Sequence, residues 1–442
     1  MTFHRLFPRA SILLLAFWLG IGPALGQGLL RDAEIEHGLA QLAAPILRAA
    51  GLAPDRVKIL LVDDQSLNAF VISNDAIYIH SGLIARAQSA AMIQAVIAHE
   101  AAHIVNGHIS RRMTNLDHAR NAAGLGLALA AAAAVAGQGD AARGIALGTG
   151  SAAQRSFFSH TRAEESSADQ SGIRFMASAG VAPAAMRDLL AIFSGQELLS
   201  AGRQDPYLRS HPLSRDRMRA IDGFVAQYKG GEVLPQTEYW FARLRGKLSA
   251  FTRSPKWTLA QAPSDPVGDA GLMRQAIARH RLAQTPAALA LLDQLQGQRP
   301  EDAFLYDLRG QMLIEARDFN AAARAYQQAA RLAPGNALIL AGLGRAQLAT
   351  GAPAEARATL ERSRDQDFRN SAMMRDLALA YARTQKPGLA GMITAERFAL
   401  MGRMKDAGLH ARRALGQLPE GSAPWQRAQD VLIASERAAN GR

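Results

Sequence analysis

The sequence predicts a mainly α-helical chain in two parts, a small α+β domain followed by an α-solenoid of stacked helix pairs. Three observations carry this expectation. Alanine and leucine are abundant while aromatic residues make up only 6% of the 442 residues, a composition that favours helix. Three short β-rich runs cluster between residues 57 and 79, with helical patterns on either side. Beyond residue 269 the same residue types return every 34 positions.

The first residues read as a secretory signal. Arg5 and Arg9 precede an apolar run from Ile12 to Ile21, and Ala24-Leu25-Gly26 has the small-x-small form of a cleavage site. Cleavage is expected after Gly26. The apolar run falls short of the ~20 residues needed to span a bilayer. There is no cysteine, which excludes a lipid-anchored cysteine, a disulfide and any thiolate metal site. Metal chemistry must therefore use histidine and carboxylate. The formal charge is +12, but the basic residues are scattered and not interleaved with aromatics, so no nucleic-acid partner is expected.

Residues 27–50 carry Ile35, Leu39, Leu42, Ile46 and Leu47 at helical spacing. Strands follow at Val57 to Asp63, Asn68 to Ile72 and Ala76 to Ile79, the last two separated by the turn-forming Ser73-Asn74-Asp75. A helix is expected from Ser89 as N-cap to a stop at Gly107, and another from Arg162 to Ser178. Residues 121–137 are nearly all Ala, Gly and Leu, which suits a buried or membrane-facing hairpin better than a spanning helix, and peripheral membrane contact is expected there. Prolines 255, 263 and 266 mark 252–268 as a linker. The expected organisation is a signal peptide at 1–26, a first domain at 27–251, the linker at 252–268 and a repeat domain at 269–442.

Within the repeats, Pro300, Pro334 and Phe368 are 34 residues apart. Ala288, Ala322 and Ala356 precede them at a fixed offset, as do Leu292, Tyr326 and Leu360. Gly310 and Gly344 take the small-residue site of the first helix, where Ala276 stands in the first unit. Small residues let two helices approach, and such units stack because one cannot bury its apolar face alone. The next matching proline, Pro419, is out of register, so a half-repeat is expected near 371–387.

The chemistry centres on His99-Glu100-Ala101-Ala102-His103, on an apolar helical segment. Positions i and i+4 share a helix face, so both imidazoles can reach one zinc ion at ~2.0–2.1 Å. Glu100 is rotated toward the remaining coordination position, where it can take a proton from water. A catalytic zinc needs a third protein ligand. Glu165 and Asp169, again i and i+4, supply an inward carboxylate pair, with Glu165 expected on the metal and Asp169 holding the far nitrogen of His99. Standing alone, Glu165 would equally suit a solvated helix face beside Glu164. Ala168 and Gly172 are small enough for this helix to pack close to the first. His108 is expected to point away from the metal.

H-E-x-x-H followed by E-x-x-A-D-x-x-G resembles the gluzincin metallopeptidases that include the CAAX prenyl proteases. Asn68-Ala69-Phe70 and Ile77 to Leu83 resemble that family's strand pair, and Ser210-His211-Pro212 with Arg217 resembles its late His-Pro motif. The repeats resemble the tetratricopeptide (TPR) pattern. The resemblance implies a gluzincin-type metallopeptidase domain with one zinc ion per chain and a TPR-like solenoid behind it. It implies that His211 lies over the zinc, capping it at rest, and that Arg217 stabilises charge on the scissile carbonyl oxygen. Composition alone would make them a loop histidine and a surface arginine. Asn68 and Ala69 would lie on an edge strand that pairs with an extended substrate. Exported, repeat-bearing members imply a periplasmic protease with chaperone activity toward unfolded or stalled outer-membrane proteins and their assembly machinery. The competing expectations are a repeat-based scaffold with a self-inhibited metal site, and a membrane-embedded prenyl-protease-like enzyme.

Overall fold

A computed structural model describes residues 28–111, 162–193, 195–196, 203–228, 231, 235–261 and 268–440. The expected signal peptide and the segment 121–137 lie outside the described residues. Among the described residues no helix is long and apolar enough to cross a membrane.

The first domain holds a four-stranded sheet. β1 (Leu29–Leu30), β2 (Lys58–Val62), β3 (Ala69–Ser73) and β4 (Ala76–His80) lie in the order β1-β2-β4-β3. β2 and β4 are parallel, with Lys58 opposite Ala76 and Val62 opposite His80. β3 and β4 form an antiparallel hairpin, and β3, like β1, is an edge strand among the described residues. β1 has only two residues, too few for a periodic signal, and the expected helix over 27–50 starts later for that reason. Helix α1 (Ala33–Ala49) is capped by Asp32, whose carboxylate accepts from the N–H groups of Glu34 and Ile35. A short helix α2 (Ser81–Arg86) leads into α3 (Ala90–Val105), which is capped by Ser89. α3 is buried along nearly its whole length, as an all-round apolar helix must be.

Among the described residues the domain continues with α4 (Arg162–Ser178), α5 (Ala184–Ala191), α6 (Pro206–Ser210) and α7 (Arg215–Gln227). The following α8 (Pro235–Thr252) packs on α1 and on the first repeat helix. Within the stretch expected as a linker, residues Pro255–Gln261 form helix α9.

The repeats are helix pairs: α10 and α11 (Asp269–Arg281, Thr285–Gln298), α12 and α13 (Ala303–Glu315, Phe319–Leu332), α14 and α15 (Ala337–Ala349, Pro353–Gln366). They continue with α16 and α17 (Ser371–Arg383, Pro387–Leu400), then α18 and α19 (Met404–Leu415, Ala423–Ala439). Gly310 lies against the Tyr326 ring and Gly344 against Leu360, where an added Cβ would collide at 2.6 and 2.4 Å. The glycines thus admit the large residue of the facing helix.

The expected half-repeat near 371–387 is instead a complete pair in register. Two features carry the 34-residue period through it. Asp302, Asn336 and Asn370 each cap the first helix of a pair through a side-chain oxygen. Ala283, Arg317, Gly351 and Gln385, all at positive φ, each turn the chain between the two helices. Only the closing proline is lost, because Gly402 (φ +71°) makes that turn instead.

The two parts share a core. Phe304, Ala329 and Ile339 of the repeats bury in the same apolar cluster as Leu39, Leu42 and Leu244. The His37 ring lies between Trp240 and Phe304, at 4.6 and 4.8 Å between centroids. Beside it, buried Arg243 pairs with Glu34 and with Asp302, and Lys247 Nζ lies 2.9 Å from Asp32 and 3.2 Å from Glu34. A second junction forms where Arg31 pairs with Asp367 and Arg369 with Asp75. Removing one member of a buried charge network strands the others, so Arg243→Met should cost about 3–5 kcal/mol. Denaturant unfolding monitored by circular dichroism would register this, and a midpoint equal to wild type would show the network to be dispensable.

Candidate metal centre

α3 runs through the core and presents His99 and His103 one turn apart. α4 lies directly against it. A Cβ on Gly172 would sit 3.3 Å from the backbone of Ala98 and His99, so glycine sets how closely the two helices approach. Asn106 at the end of α3 donates to the Ser167 hydroxyl of α4 at 3.0 Å. This approach brings the Glu165 carboxylate to the histidine pair. α6 and the turn after it supply His211, whose backbone N–H donates to the Tyr207 carbonyl at 2.7 Å.

His99, His103, Glu165 and His211 each place one donor atom within 4.8 Å of the others, and all four are buried. His99 Nε2 and His103 Nε2 are 3.1 Å apart, and each is 3.4 Å from a Glu165 oxygen. His211 Nδ1 lies 2.9 Å from Glu165 Oε1 and 3.2 Å from His99 Nε2. Tetrahedral zinc with bonds of ~2.0–2.1 Å has ligand-to-ligand edges of about 3.3 Å. The donor set, nitrogen and carboxylate oxygen without thiolate, is also one that zinc accepts. The residues therefore fit a divalent zinc-like ion.

Electrostatics point the same way. Among the described residues, the carboxylates of Glu100, Glu165 and Asp169 and the guanidinium of Arg217 are buried together here. Burial opposes charge on His99, yet the carboxylates of Glu165 and Asp169 outweigh it and raise its pKa to about 10. Burial likewise opposes charge on Glu165, but His211, Arg217 and His99 hold it well below the ordinary carboxylate range. The carboxylates thus favour positive charge on His99, whereas burial, with His99 and His211 beside it, pushes the His103 pKa well down.

Each remaining sequence-chosen residue has a position. Glu100 is fully buried, with Oε1 3.5 Å from His211 Nε2. Asp169 Oδ1 is 3.0 Å from His99 Nδ1. An ionised carboxylate only accepts, so a neutral His99 carries its proton on Nδ1 and turns the Nε2 lone pair to the cluster. Arg217 holds Asp169 through Nε and Nη2, and its Nη1 lies 2.7 Å from Glu165 Oε2 and within reach of the His211 and Pro212 carbonyls. Each of its three nitrogens thus meets at least one protein oxygen. Ala69 begins the edge strand β3, and the Asn68 carbonyl accepts from the His80 N–H at 2.9 Å.

Tyr207 carries no signal in the sequence pattern. The buried Tyr207 ring stacks on Phe193 and lies 4.7 Å from the His211 ring. His108, expected to point away, touches His103. Its only signal was proximity to a glycine that reverses the chain.

Residues 30–225 match the profile of Peptidase family M48, and residues 313–380 match a tetratricopeptide repeat. The chain is 27% identical over 293 residues to a putative beta-barrel assembly-enhancing protease of Vibrio cholerae, an overlap of 64% of this chain and 59% of that protein. It is 25% identical over 185 residues to the beta-barrel assembly-enhancing protease of Yersinia pestis, covering 42% of this chain and 38% of that one. It is 24% identical to the Escherichia coli O157:H7 protein of that name, over 86% of this chain and 78% of its relative. The match thus spans less than two thirds of the length of each of these first two relatives.

Widening Gly172 should separate the donors. Gly172→Val overpacks the contact between α3 and α4 and should cost about 1–3 kcal/mol. Thermal melting and zinc titration of the variant would check this, with weaker zinc binding expected alongside the lower melting temperature.

Proposed function

We propose, from a Peptidase family M48 domain at residues 30–225, that this protein is a zinc-dependent endopeptidase with His99, His103 and Glu165 as metal ligands. The observation that carries the reading is the convergence of these three donors, with His211, within 4.8 Å beside a buried Glu100. A zinc ion held there supplies Lewis acidity to the scissile carbonyl and the attacking water. Glu100 takes the proton of that water and delivers it to the departing amine. Asp169 fixes the tautomer and ring angle of His99, and Arg217 in turn holds Asp169. β3, which follows Asn68 and begins at Ala69, is an edge strand of the sheet, to which an extended substrate adds by main-chain hydrogen bonds, so side-chain specificity is loose.

His211 closes the fourth position in the resting enzyme, which supports a self-inhibited state in which the repeats act as a scaffold or chaperone between rounds of cleavage. Substrate binding displaces it. The relatives' names support a role in β-barrel assembly, in which the repeats recruit unfolded or stalled outer-membrane proteins and their assembly machinery; the basic and apolar run before Ala24-Leu25-Gly26 supports export to the periplasm with cleavage after Gly26.

Glu100→Gln should keep zinc and lower casein cleavage by about 10²–10⁴-fold. Wild-type turnover in that variant, with zinc bound, would refute the assignment. His211→Ala opens the resting site. Losing a hydrogen bond to a charged group is worth about 1.5 kcal/mol, so basal casein cleavage should rise roughly tenfold.

A further inference from the structure

The geometry points to His108 as a positioning residue that holds the metal-facing orientation of His103 through a ring-to-ring hydrogen bond. This rests on the metal reading above and concerns a residue for which the sequence pattern suggested no part in it.

His103 and His108 meet Nδ1 to Nδ1 at 2.8 Å, with both rings buried. A neutral imidazole carries one donor and one acceptor. His103 turns Nε2 toward His99 and Glu165, at 3.1 and 3.4 Å, so Nε2 must present its lone pair to a metal there. Its proton then sits on Nδ1 and is donated to His108 Nδ1, and the His108 proton sits on Nε2. One hydrogen bond thus fixes both tautomers and the plane of the His103 ring.

The chain path explains how a residue five positions on reaches its target. α3 ends at Val105, and Gly107 (φ +70°) reverses the backbone. Residues 108–111 begin a new helical turn that returns the His108 side chain beneath His103.

The chemistry of the partner matters as well. His99 is held by a carboxylate and His103 by a neutral ring. With Glu100, Glu165 and Asp169 already buried around the cluster, a fourth carboxylate would add unbalanced negative charge. A second imidazole orients the ligand without that cost.

The test uses the full-length protein. Zinc affinity is measured by chelator competition, and the ligand field by the visible spectrum of the cobalt(II)-loaded protein, for wild type, His108→Phe and His108→Asn. Phe keeps a ring but offers no acceptor, whereas Asn restores one. Second-sphere losses of this kind weaken metal binding by about 10–100-fold. His108→Phe should show that loss and shifted cobalt bands, and His108→Asn should recover most of the affinity. Should Phe lower the melting temperature of the metal-free protein, His108→Ala replaces it and the ratio of the Asn to the Ala affinity is read. Equal zinc affinity and unchanged cobalt bands with and without an acceptor overturn the inference while leaving the peptidase reading intact. Failure of the wild type to take up one zinc ion overturns the reading beneath it.

Discussion

The distance between α3 and α4 is the constraint on which the rest depends. The two histidines share a helix and keep their spacing regardless of the surroundings. The carboxylate does not. Glu165 reaches them only because Gly172 lets the backbones of the two helices lie almost in contact. The apolar packing of α3 against the sheet and α1 fixes one side of that contact. The centre is therefore a product of helix packing more than of loop geometry, which suits a task that tolerates errors of only tenths of an ångström.

Charge adds a second layer. Among the described residues, Glu100, Glu165 and Asp169 are buried close to Arg217, where the apolar core screens charge poorly. Arg217 offsets part of the carboxylate charge by holding Asp169 and lying against Glu165. The remainder falls where the histidine nitrogens converge. Orientation and electrostatics are thus assigned to different groups: Asp169 and His108 aim the rings, while Arg217 and the carboxylates set the field.

Much of this was legible in the sequence. Ser89 and Gly107 bound the first metal helix, and the i, i+4 spacing of Glu165 and Asp169 marked the second. The repeats were visible in their small and large residues, which make the contacts expected of them. Other features were not legible, for identifiable reasons. His211 and Arg217 follow no periodic pattern, and only resemblance singled them out. His108 stands outside the four-residue cluster, as expected, but its contact with His103 was not legible, because the path of the chain beyond Gly107 follows no helical projection. Proline does not mark the fourth repeat, where the cap Asn370, one period after Asn336, and the left-handed turns carry the period. A turn can be made by more than one residue type, so no single letter marks it reliably.

The joint between the two parts limits how they can be studied separately. Asp302 and Phe304 belong to the repeats by sequence, yet they complete the surroundings of Arg243, His37 and Trp240. Truncation at residue 268 would expose an aromatic face and leave buried cations short of their counter-ions. Loss of proteolysis in such a fragment would therefore report a damaged catalytic unit and say nothing about client recruitment. Dissecting the two roles calls for surface changes confined to the distal pairs, 371–439, which lie outside that shared core.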